Sequence, residues 1–565
     1  MNRPAGELGR RESRRTRRLV VAGAGVILAL ASAPAVVGGA ARADSSACDW
    51  PMFQQNAART ASAPCGGISQ TTVSTLHPAW FFADQNGGAV TATPTVSGST
   101  VYVGDSSGYF YALDSATGAP KAGWTDFNVA ANSCHSDAHS ASYGEITSSA
   151  AVAADGTGRT LVVFGGGGTL YALDASSGAC AWAQDFDPAN PTSPMEIEAS
   201  PAIVSLKGSS DPVVIAGSDV NEDSTPGLTQ PGVQALDLRT GALLWKFDPQ
   251  TKHTFTGPSW PTAAQQGPNN GCGDVWSSPA VDPAALNGDG LVAFGQGNCP
   301  TGSSGPAPSQ VDGIMAIDAT TGAMVWDFSE PPNAYSGTQY PDNGDVDFGS
   351  SAIISNGSVI EGGKSGYVYA VDETKGSIET SVQASQPGSL GVGPGAIGGF
   401  IGSAALGSAN PPTAASSPMT FFGASAIPSP FDGNGLPALP GSIDTTMACG
   451  LDQGSVPDSN CLTRSASLHA VNALTGQVLW QAPVSLPTYG AVTYSNGVVF
   501  APSTTGFSIH AYDADTGTQL WSFPLGATVA SGAAVAGSSI FVGTGISEGA
   551  TVPGANGVWA FTTTP

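Results

Sequence analysis

Positive charge is scarce in this sequence of 565 residues, which has 18 lysines and arginines against 43 aspartates and glutamates. Eight of the arginines and two of the glutamates lie before residue 44, so the remainder has 10 basic and 41 acidic side chains. Nucleic acids and anionic lipid surfaces are bound through basic faces, because phosphate charge must be neutralised. The sequence therefore predicts a protein that binds neither.

Charged residues of both signs are few, at 11% of the chain, whereas there are 75 glycines and 42 prolines. Glycine weakens helices and proline breaks them. This composition excludes long helices and coiled coils and favours a turn-rich all-β protein. The chain is long enough for two domains or for one large repetitive ring.

The first 43 residues have the three parts of a secretion signal. Arginine-rich residues 3–18 precede an apolar stretch from Leu19 to Val37, and Ala41-Arg42-Ala43 matches a cleavage site. We therefore expect a signal peptide over residues 1–43, export by the general or the twin-arginine route, and a secreted or cell-envelope location. A retained anchor would need about 20 apolar residues, but glycine and proline interrupt this stretch. No transmembrane segment is expected after cleavage.

Eight cysteines remain after residue 43, an even number that predicts disulfides in an exported chain. Eight cysteines allow 105 pairings, and pairing of sequence neighbours would close short loops. The pairs expected on that basis are Cys48–Cys65, Cys134–Cys180, Cys272–Cys299 and Cys449–Cys461. The sequence lacks Cys-x-x-Cys-His, the attachment motif of c-type haem, so no covalent haem is expected.

One pattern recurs along the rest of the chain: a β-branched or aromatic run, a glycine-rich turn, and an alternating run that ends in Ala-x-Asp-x-x-x-Gly, often with a Trp four residues further on. Alternation predicts strands, and Asp-x-x-x-Gly predicts a tight turn in which the aspartate accepts main-chain hydrogen bonds. Each copy is thus a four-stranded antiparallel blade of a propeller. The Ala-x-Asp or Ala-x-Asn tripeptides of seven copies begin at residues 112, 172, 235, 316, 370, 470 and 511.

An eighth copy stops short at Pro565, whereas the Asp49-Trp50-Pro51-Met52-Phe53 segment has no preceding strands. We therefore predict one all-β, eight-bladed β-propeller over residues 44–565, closed by pairing of the Trp50 segment with residues 557–561. Closure would leave no sheet edge unpaired. The largest loop insertion is expected at about residues 385–460, and the repeated tryptophans are expected to pack between blades.

The repeat, together with the Asp49–Phe53 segment, Asn56 and Arg59, resembles the tryptophan-docked propeller of the quinoprotein alcohol dehydrogenases. Residues 340–370 look most similar to the polyvinyl-alcohol dehydrogenase branch. The resemblance implies that pyrroloquinoline quinone (PQQ) binds on the propeller axis beside a metal ion. It also implies hydride transfer from a small or polymeric alcohol to the metal-activated quinone, and a separate electron acceptor.

The resemblance implies a set of metal ligands. Glu222 and Asn298 fall at the metal-binding glutamate and asparagine of the family. Asp345 falls at the catalytic base, which is also a metal ligand, and Asp347 falls where the lanthanide-using branch has an extra carboxylate. Carboxylate and amide oxygens suit Ca²⁺ or a lanthanide and do not suit zinc.

Two further residues are implied to contact the quinone. Lys364 falls at the cation that hydrogen-bonds the quinone oxygens and stabilises the developing negative charge. Trp276 falls at the tryptophan on which the flat cofactor stacks, and no smaller side chain covers a planar ring as well. Asp345 would accept the alcohol proton as hydride moves to the ring.

The sequence departs from the family at several positions. Cys134 is followed by His135 and not by a second cysteine. Thr91 stands where the family has a glutamate near the cofactor, and Glu198 stands where a hydroxyl is expected. His135 and His139, four residues apart, would be placed to bind a transition metal if this loop were helical.

A second function is therefore carried forward. Asp345 and Asp347 could each cap a turn, and Trp276 could belong to the core. Propellers with the same repeat also occur without a quinone, so the fold alone does not establish catalysis. The alternative is a non-catalytic propeller that acts as an envelope scaffold or a protein-binding module.

Overall fold

The structure is a computed structural model that describes residues 48–63, 65–137, 141, 143–188, 195–220, 230–256, 272–297, 313–330, 347–385, 399–425, 466–484, 488–504, 506–546 and 555–564. The chain divides into two compact units, of which Ala43–Pro565 is the larger. The smaller, Met1–Arg42, lies outside the described residues, as does the predicted signal peptide. Within the described ranges, no helix is long and apolar enough to cross a membrane.

The described strands form eight antiparallel sheets, one for each sequence repeat, and the predicted eight-bladed propeller is confirmed. Blade 1 contains β2 (Thr95–Ser97), β3 (Thr100–Gly104), β4 (Tyr109–Asp114) and β5 (Phe127–Asn128). Blade 2 contains β6 (Ala151–Ala154), β7 (Thr160–Gly166), β8 (Thr169–Asp174) and β9 (Cys180–Asp185). Blade 3 contains β10 (Met195–Glu196), β11 (Ala202–Val204), β12 (Val213–Val220), β13 (Gly232–Asp237), β14 (Leu243–Asp248) and β15 (His253–Thr256). Blade 4 contains β16 (Ala280–Asp282), β17 (Leu291–Gln296), β18 (Gly313–Asp318) and β19 (Met324–Ser329).

The second half of the ring repeats this arrangement. Blade 5 contains β20 (Ile353–Ser355), β21 (Ser358–Gly362), β22 (Tyr367–Asp372) and β23 (Ile378–Gln383). Blade 6 contains β24 (Ala405–Ala409), β25 (Ser417–Ser425), β26 (Ala466–Asn472) and β27 (Val478–Val484). Blade 7 contains β28 (Thr493–Ser495), β29 (Val498–Ser503), β30 (Ser508–Asp513) and β31 (Gln519–Pro524). Blade 8 contains β32 (Ala533–Ala536), β33 (Ser539–Thr544), β34 (Gly557–Thr562) and β1 (His77–Ala83), and two short 3₁₀ helices span Val73–Thr75 and Leu286–Gly288.

A strand from the N-terminal region closes the ring, as predicted, but it is not the predicted strand. β1 pairs antiparallel with β34, from His77 opposite Thr562 to Ala83 opposite Gly557. Trp50 instead bridges Val96 in blade 1. The residues that follow Trp50 include four with positive φ, at positions 54, 55, 59 and 61, and a backbone that turns this often cannot continue as a strand.

Residues 50–63, here called the hub segment, run past the first strands of successive blades and form hydrogen bonds with them. Arg59, fully buried, donates hydrogen bonds to the carbonyl oxygens of Phe53, Ser200 and Pro279. The main-chain acceptors of the segment are Pro51 for Val152, Ala57 for Val281, Ala58 for Ile354, Thr60 for Leu406 and Ala61 for Tyr494. Because first strands of neighbouring blades also contact one another, this side of every blade faces the axis.

The repeated tryptophans pack between blades, as predicted. In blade 4, the Asp318 carboxylate accepts hydrogen bonds from the amides of Thr320 and Thr321, and Gly322 then takes a φ of +71°. The indole of Trp245, from blade 3, lies where a Cβ on Gly322 would be and donates Nε1–H to the Ala319 carbonyl 3.1 Å away. The glycine therefore serves both the turn and the contact between blades.

A tryptophan also docks at most of the other joints; between blades 1 and 2 it is Trp124, whose Nε1–H has no hydrogen-bond partner among the described residues. Nε1–H donation to a carbonyl of the adjoining blade is made by Trp80, Trp182, Trp245, Trp326 and Trp480. Between blades 5 and 6, the docking glycine Gly476 meets the methyl group of Thr380 instead. Thr380 stands four residues after Gly376, where other repeats have tryptophan, so the contact at this joint is smaller.

One of the four predicted disulfides is confirmed, one is wrong, and two involve residues outside the described ranges. Cys134 and Cys180 form a disulfide, as predicted. Cys272 is disulfide-bonded, but its predicted partner Cys299 lies outside the described residues, as do Cys449 and Cys461. The predicted Cys48–Cys65 bond is wrong in this structure: the Cys48 thiol donates to the Cys65 carbonyl oxygen at 2.9 Å.

The histidine pair considered as a transition-metal site is not assembled in the described chain. His135 Nε2 lies 3.6 Å from the Asp185 carboxylate, and His139 falls outside the described residues. Residues 134–137 are not helical.

Candidate functional site

Hydroxyl groups encircle the axis just before the first strand of blades 1 to 6. In each case a main-chain N–H of one blade donates to a serine or threonine hydroxyl of the next. The donor and acceptor residues are Gly532 to Thr93, Thr93 to Ser149, Ser149 to Ser200, Ser200 to Ser278, Ser278 to Ser351 and Ser351 to Ser403, at 2.9–3.1 Å. These bonds hold the blades in common register, so equivalent residues lie at one level on the axis.

The residues two positions before this level form what we call the axial floor. They are Thr91, Thr147, Glu198, Trp276, Gly349, Ile401, Tyr489 and Ala530, one from each blade. All except the glycine are partly exposed, although the residue on either side of each is mostly buried. That pattern is expected of side chains that face a central channel. Blades 1 to 4 supply polar groups and an indole, whereas blades 6 to 8 supply no charge.

Three predicted site residues meet where blades 4 and 5 join. Trp276 lies across Gly349, where a Cβ would overlap its indole ring. The Lys364 Nζ atom is 5.4 Å from the Trp276 ring centroid and 2.7 Å from Asp347 Oδ2. Lys364 and Asp347 are both buried, and the Lys364 amide donates to the Asp347 carbonyl at 3.0 Å. A planar indole, an ammonium group and a carboxylate therefore lie together at the joint between these two blades.

The other three predicted residues, Glu222, Asn298 and Asp345, lie outside the described residues. Their described neighbours approach the same region. Gly297, which precedes Asn298, packs against the Asp347 carboxylate. Convergence of the three on one metal ion therefore stays a prediction.

A second acidic group lies on blade 3. Carboxylate oxygens of Glu196, Glu198 and Asp219 all lie within 4.8 Å of one another, in an arrangement that could hold a metal ion. β10 brings Glu196 opposite Asp219. The amide of Val220 donates to Asp274 Oδ1 at 3.2 Å, which links this group to the segment that carries Trp276.

Glu196 and Asp219 were not singled out from the sequence, although a signal for them exists. Asp219 follows the glycine Gly217 by two residues, just as Lys364 follows Gly362. Glu196 precedes the axial-floor residue of blade 3 by two positions, as Asp347 does in blade 5. Alignment of the repeats with one another, position by position, would have marked both.

These side chains fit the groups that the sequence implies. A flat conjugated ring needs an aromatic face without bulk beside it, and the pairing of Trp276 with Gly349 offers one. The buried Lys364 ammonium suits the oxygens of an anionic quinone. The carboxylates nearby are hard oxygen donors, which suit Ca²⁺ or a lanthanide.

Two further carboxyl groups are held in the joint between blades 4 and 5. Glu330 accepts a hydrogen bond from the Tyr369 hydroxyl at 2.8 Å, and burial raises the pKa of Glu330 to about 7. Glu361 is fully buried in β21, and desolvation raises its pKa well above the usual value for a glutamate. Low polarity in the joint thus favours the uncharged form of both groups.

The fold is an eight-bladed propeller in which Trp276, Lys364 and Asp347 come together where two adjoining blades meet. A profile described as the glucose/ethanol/alcohol dehydrogenase β-propeller domain matches residues 50–376, more than half of the chain. The protein therefore belongs to the PQQ-dependent alcohol and glucose dehydrogenase propeller family. A second profile, described as the outer membrane protein assembly factor BamB, matches residues 450–563.

Individual relatives are distant. The chain is 27% identical over 368 residues to the quinoprotein glucose dehydrogenase of Escherichia coli, covering 58% of this chain and 41% of the relative. It is 26% identical over 359 residues to the quinohemoprotein alcohol dehydrogenase ADH IIB of Pseudomonas putida, covering 58% of this chain and 46% of the relative. The matched region thus spans less than half the length of either curated relative.

Solved structures support the fold. A europium-containing methanol dehydrogenase superposes with a TM-score of 0.61 at 17% identity, covering 91% of this chain and 98% of that chain. The quinohemoprotein alcohol dehydrogenase ADHIIG of Pseudomonas putida HK5 gives a TM-score of 0.63 at 21% identity, covering 91% of this chain and 80% of that chain.

Proposed function

We propose that this protein is an exported PQQ-dependent dehydrogenase that transfers hydride from an alcohol to a metal-activated quinone. The observation that carries the proposal is that Lys364 contacts both the indole ring of Trp276 and the carboxylate of Asp347. An anionic, planar cofactor requires an aromatic face together with a fixed cation, and these stand 5.4 Å apart on neighbouring blades. Membership of the family makes PQQ the cofactor that best fits this pair.

The residues proposed to hold the two groups are those that the family resemblance implies. Trp276 and Lys364 would hold PQQ. Glu222, Asn298, Asp345 and Asp347 would hold Ca²⁺ or a lanthanide. Asp347 would thus offer a carboxylate oxygen to the metal and also pair with Lys364. When bound, PQQ supplies a hydride acceptor whose carbonyl the metal makes more electrophilic.

The chain's own contribution is a proton acceptor and fixed charge. Asp345 is proposed to accept the hydroxyl proton of the alcohol as its general base. Lys364 stays in place because Asp347 holds both its amide and its ammonium group. A cation fixed before the reaction stabilises negative charge at no cost of reorganisation.

The substrate is proposed to be a small or polymeric alcohol, and secondary alcohols are the first to test, because residues 340–370 resemble the polyvinyl-alcohol dehydrogenase branch. Electrons would pass to a separate acceptor, since the chain has no motif for covalent haem. The leader sequence supports a location outside the cytoplasm.

The second candidate function is a propeller scaffold without a quinone. The observation that favours it is the match of residues 450–563 to the profile of the outer membrane protein assembly factor BamB. Blades 6 to 8, which include this region, present Ile401, Tyr489 and Ala530 to the axis and no charged group among their described axial-floor residues.

One experiment separates the two functions. The purified protein is mixed with PQQ and either Ca²⁺ or La³⁺, its visible spectrum is recorded, and alcohol-dependent reduction of an electron-accepting dye is followed. The dehydrogenase proposal predicts an altered quinone spectrum and dye reduction by a secondary alcohol or an oligomer of polyvinyl alcohol. An unaltered spectrum with either ion favours the scaffold, and an altered spectrum without turnover leaves binding but removes catalysis.

A further inference from the structure

Glu361 is the one charged residue at its position in the repeat. It lies in β21, one residue before the glycine Gly362, and its side chain is fully buried. The residues at the same register in the other seven blades are Val103, Phe164, Ala216, Phe294, Gly423, Ala501 and Val542. A buried position that is apolar in the rest of the ring and acidic here needs a specific partner.

The carboxyl group of Glu361 lies against the segment that carries part of the site. A Cβ on Gly295, in β17 of blade 4, would overlap both Glu361 Oε1 and the carbonyl oxygen of Phe348. The two oxygens are thus neighbours at one point beside β17. Phe348 is buried and stands between Asp347, which holds Lys364, and Gly349, on which Trp276 lies.

Within the described ranges, neither of these oxygens has a hydrogen-bond donor. Among the described residues, no hydrogen bond reaches either carboxyl oxygen of Glu361, and no donor reaches the Phe348 carbonyl. The nearest cross-strand residue, Tyr369, gives its hydroxyl to Glu330. Two adjacent acceptors in an apolar joint are unfavourable unless one of them carries a proton.

We propose that Glu361 is a positioning residue: as a carboxylic acid it donates a hydrogen bond to the Phe348 carbonyl and so fixes the Asp347–Gly349 segment under Trp276 and Lys364. Burial favours the protonated acid, since desolvation raises the pKa of Glu361. The inference about this segment stands on the contacts of the chain itself. Its consequence for the cofactor rests on the proposed function.

Two substitutions of Glu361 distinguish loss of the hydrogen-bond donor from a change in side-chain packing. Glu361→Gln keeps the size and an N–H donor, whereas Glu361→Leu keeps the bulk and removes the donor. Glu330→Gln is the control, because it changes the other buried carboxyl group of the same joint. Amide hydrogen exchange is followed at Phe348 and Lys364, whose N–H groups bond to the Gln296 and Asp347 carbonyls.

At pH 4, where Glu330→Gln is about as stable as the wild type, we expect exchange of these amides to be about tenfold faster in Glu361→Leu and within twofold of the wild type in Glu361→Gln and Glu330→Gln, as loss of one hydrogen bond would give. Unchanged exchange in Glu361→Leu, or equal acceleration in Glu361→Gln, would overturn the proposal. If Glu361→Leu does not fold, infrared difference spectroscopy decides instead. A carboxylic-acid carbonyl band at neutral pH must then be lost on going from wild type to Glu361→Gln, and its absence in the wild type rejects the proposal.

The consequence for the site is measured in the same variants by titration with PQQ in the presence of Ca²⁺. Affinity should fall about tenfold in Glu361→Leu and stay within twofold of the wild type in Glu361→Gln. A wild type that binds no PQQ rejects the proposed function but leaves the exchange result intact. Normal affinity in Glu361→Leu with accelerated exchange rejects the link between the segment and the cofactor.

Discussion

Blades 5 and 8 share a main-chain hydrogen bond at the axial end, but the side chains around it are charged in blade 5 and uncharged in blade 8. In blade 5 the Lys364 amide donates to the Asp347 carbonyl at 3.0 Å, and in blade 8 the amide of Gly545 donates to the Thr528 carbonyl at 2.8 Å. Around this shared bond, blade 5 has Glu361 where blade 8 has Val542. The carboxylate, ammonium and buried acid of blade 5 thus have a hydroxyl, a hydrogen atom and an isopropyl group as counterparts.

The comparison teaches that the repeat supplies positions and that individual substitutions supply the chemistry. Docking contacts and Asp-x-x-x-Gly turns hold the blades in register, so equivalent positions such as Lys364 in blade 5 and Gly545 in blade 8 make the same main-chain hydrogen bond. A charged residue at such a position requires no new loop. The charged side chains near the axis on blades 3 to 5 are therefore substitutions within the repeat, and the fold of these blades is unchanged.

The largest expected effect is on turnover, through Asp345. If Asp345 is the base, Asp345→Ala should lower kcat by about 10²–10⁴-fold, because the alcohol proton loses its acceptor. PQQ binding should persist, since Trp276 and Lys364 remain. Steady-state dye reduction and a PQQ titration measure the two quantities, with Asp513→Ala, a turn aspartate of blade 7, as the matched control. An active Asp345→Ala enzyme would show that the base lies elsewhere.

The second effect is on the pH dependence of stability, through Glu330 in the joint between blades 4 and 5. Burial raises the pKa of Glu330 to about 7 in the folded protein, against about 4.3 for a free glutamate. The folded state therefore binds more protons between these values, and its stability falls as pH rises through them. Glu330→Gln mimics the protonated acid, so it should be more stable than wild type by roughly 3–4 kcal/mol at pH 8 and nearly equal to it at pH 4.

Urea unfolding of both proteins at pH 4, 6 and 8 checks this difference. Parallel stability curves for the wild type and Glu330→Gln would mean that Glu330 ionises as freely in the joint as in the unfolded chain.

A third effect compares the two halves of the axial floor. Trp276→Ala should weaken PQQ binding by about 10- to 100-fold, because aromatic stacking contributes roughly 1–3 kcal/mol. Ile401→Ala, the equivalent position of blade 6, should change the affinity less than twofold. Quinone absorbance titrations in Ca²⁺ measure both. Equal losses would place the cofactor centrally, with no preference for the polar half.

The smallest expected effect is on the choice of metal, through Asp347. Asp347→Ala should weaken La³⁺ binding about tenfold more than Ca²⁺ binding, because an extra carboxylate chiefly balances the third charge. The contact with Lys364 is lost for both ions alike, so the ratio isolates the metal. Competitive titration of the two ions with PQQ present gives that ratio. A ratio equal to that of the wild type would remove the lanthanide interpretation and leave Asp347 as the anchor of Lys364.

The repeat made the architecture predictable, because each Ala-x-Asp-x-x-x-Gly copy encodes its own turn and docking contact. The strand that closes the ring was misassigned. The Trp50 segment has the family signature, but four residues that follow it have positive φ. The sequence alone does not reveal these backbone angles. His77–Ala83, an ordinary run of seven residues, makes the pairing with β34 instead.

The site was predictable to the extent that one residue per blade reaches the axis at a fixed register. Trp276, Lys364 and Asp347 come from three separate stretches of sequence, and the structure brings them together. The partnership of Lys364 with Asp347 was not foreseen, because the resemblance gave each residue a separate role. Glu361 was also missed, since its meaning depends on the Phe348 carbonyl, which lies 13 residues away and has no side-chain signal.

The central claim is that the joint between blades 4 and 5 binds PQQ, and a structure of the protein prepared with PQQ and Ca²⁺ tests it most directly. The account predicts density for a planar cofactor stacked on Trp276, with its oxygens within hydrogen-bonding distance of Lys364 Nζ. Density beside Ile401, Tyr489 and Ala530, or an axial channel without PQQ at a concentration that saturates the spectral change, would contradict it.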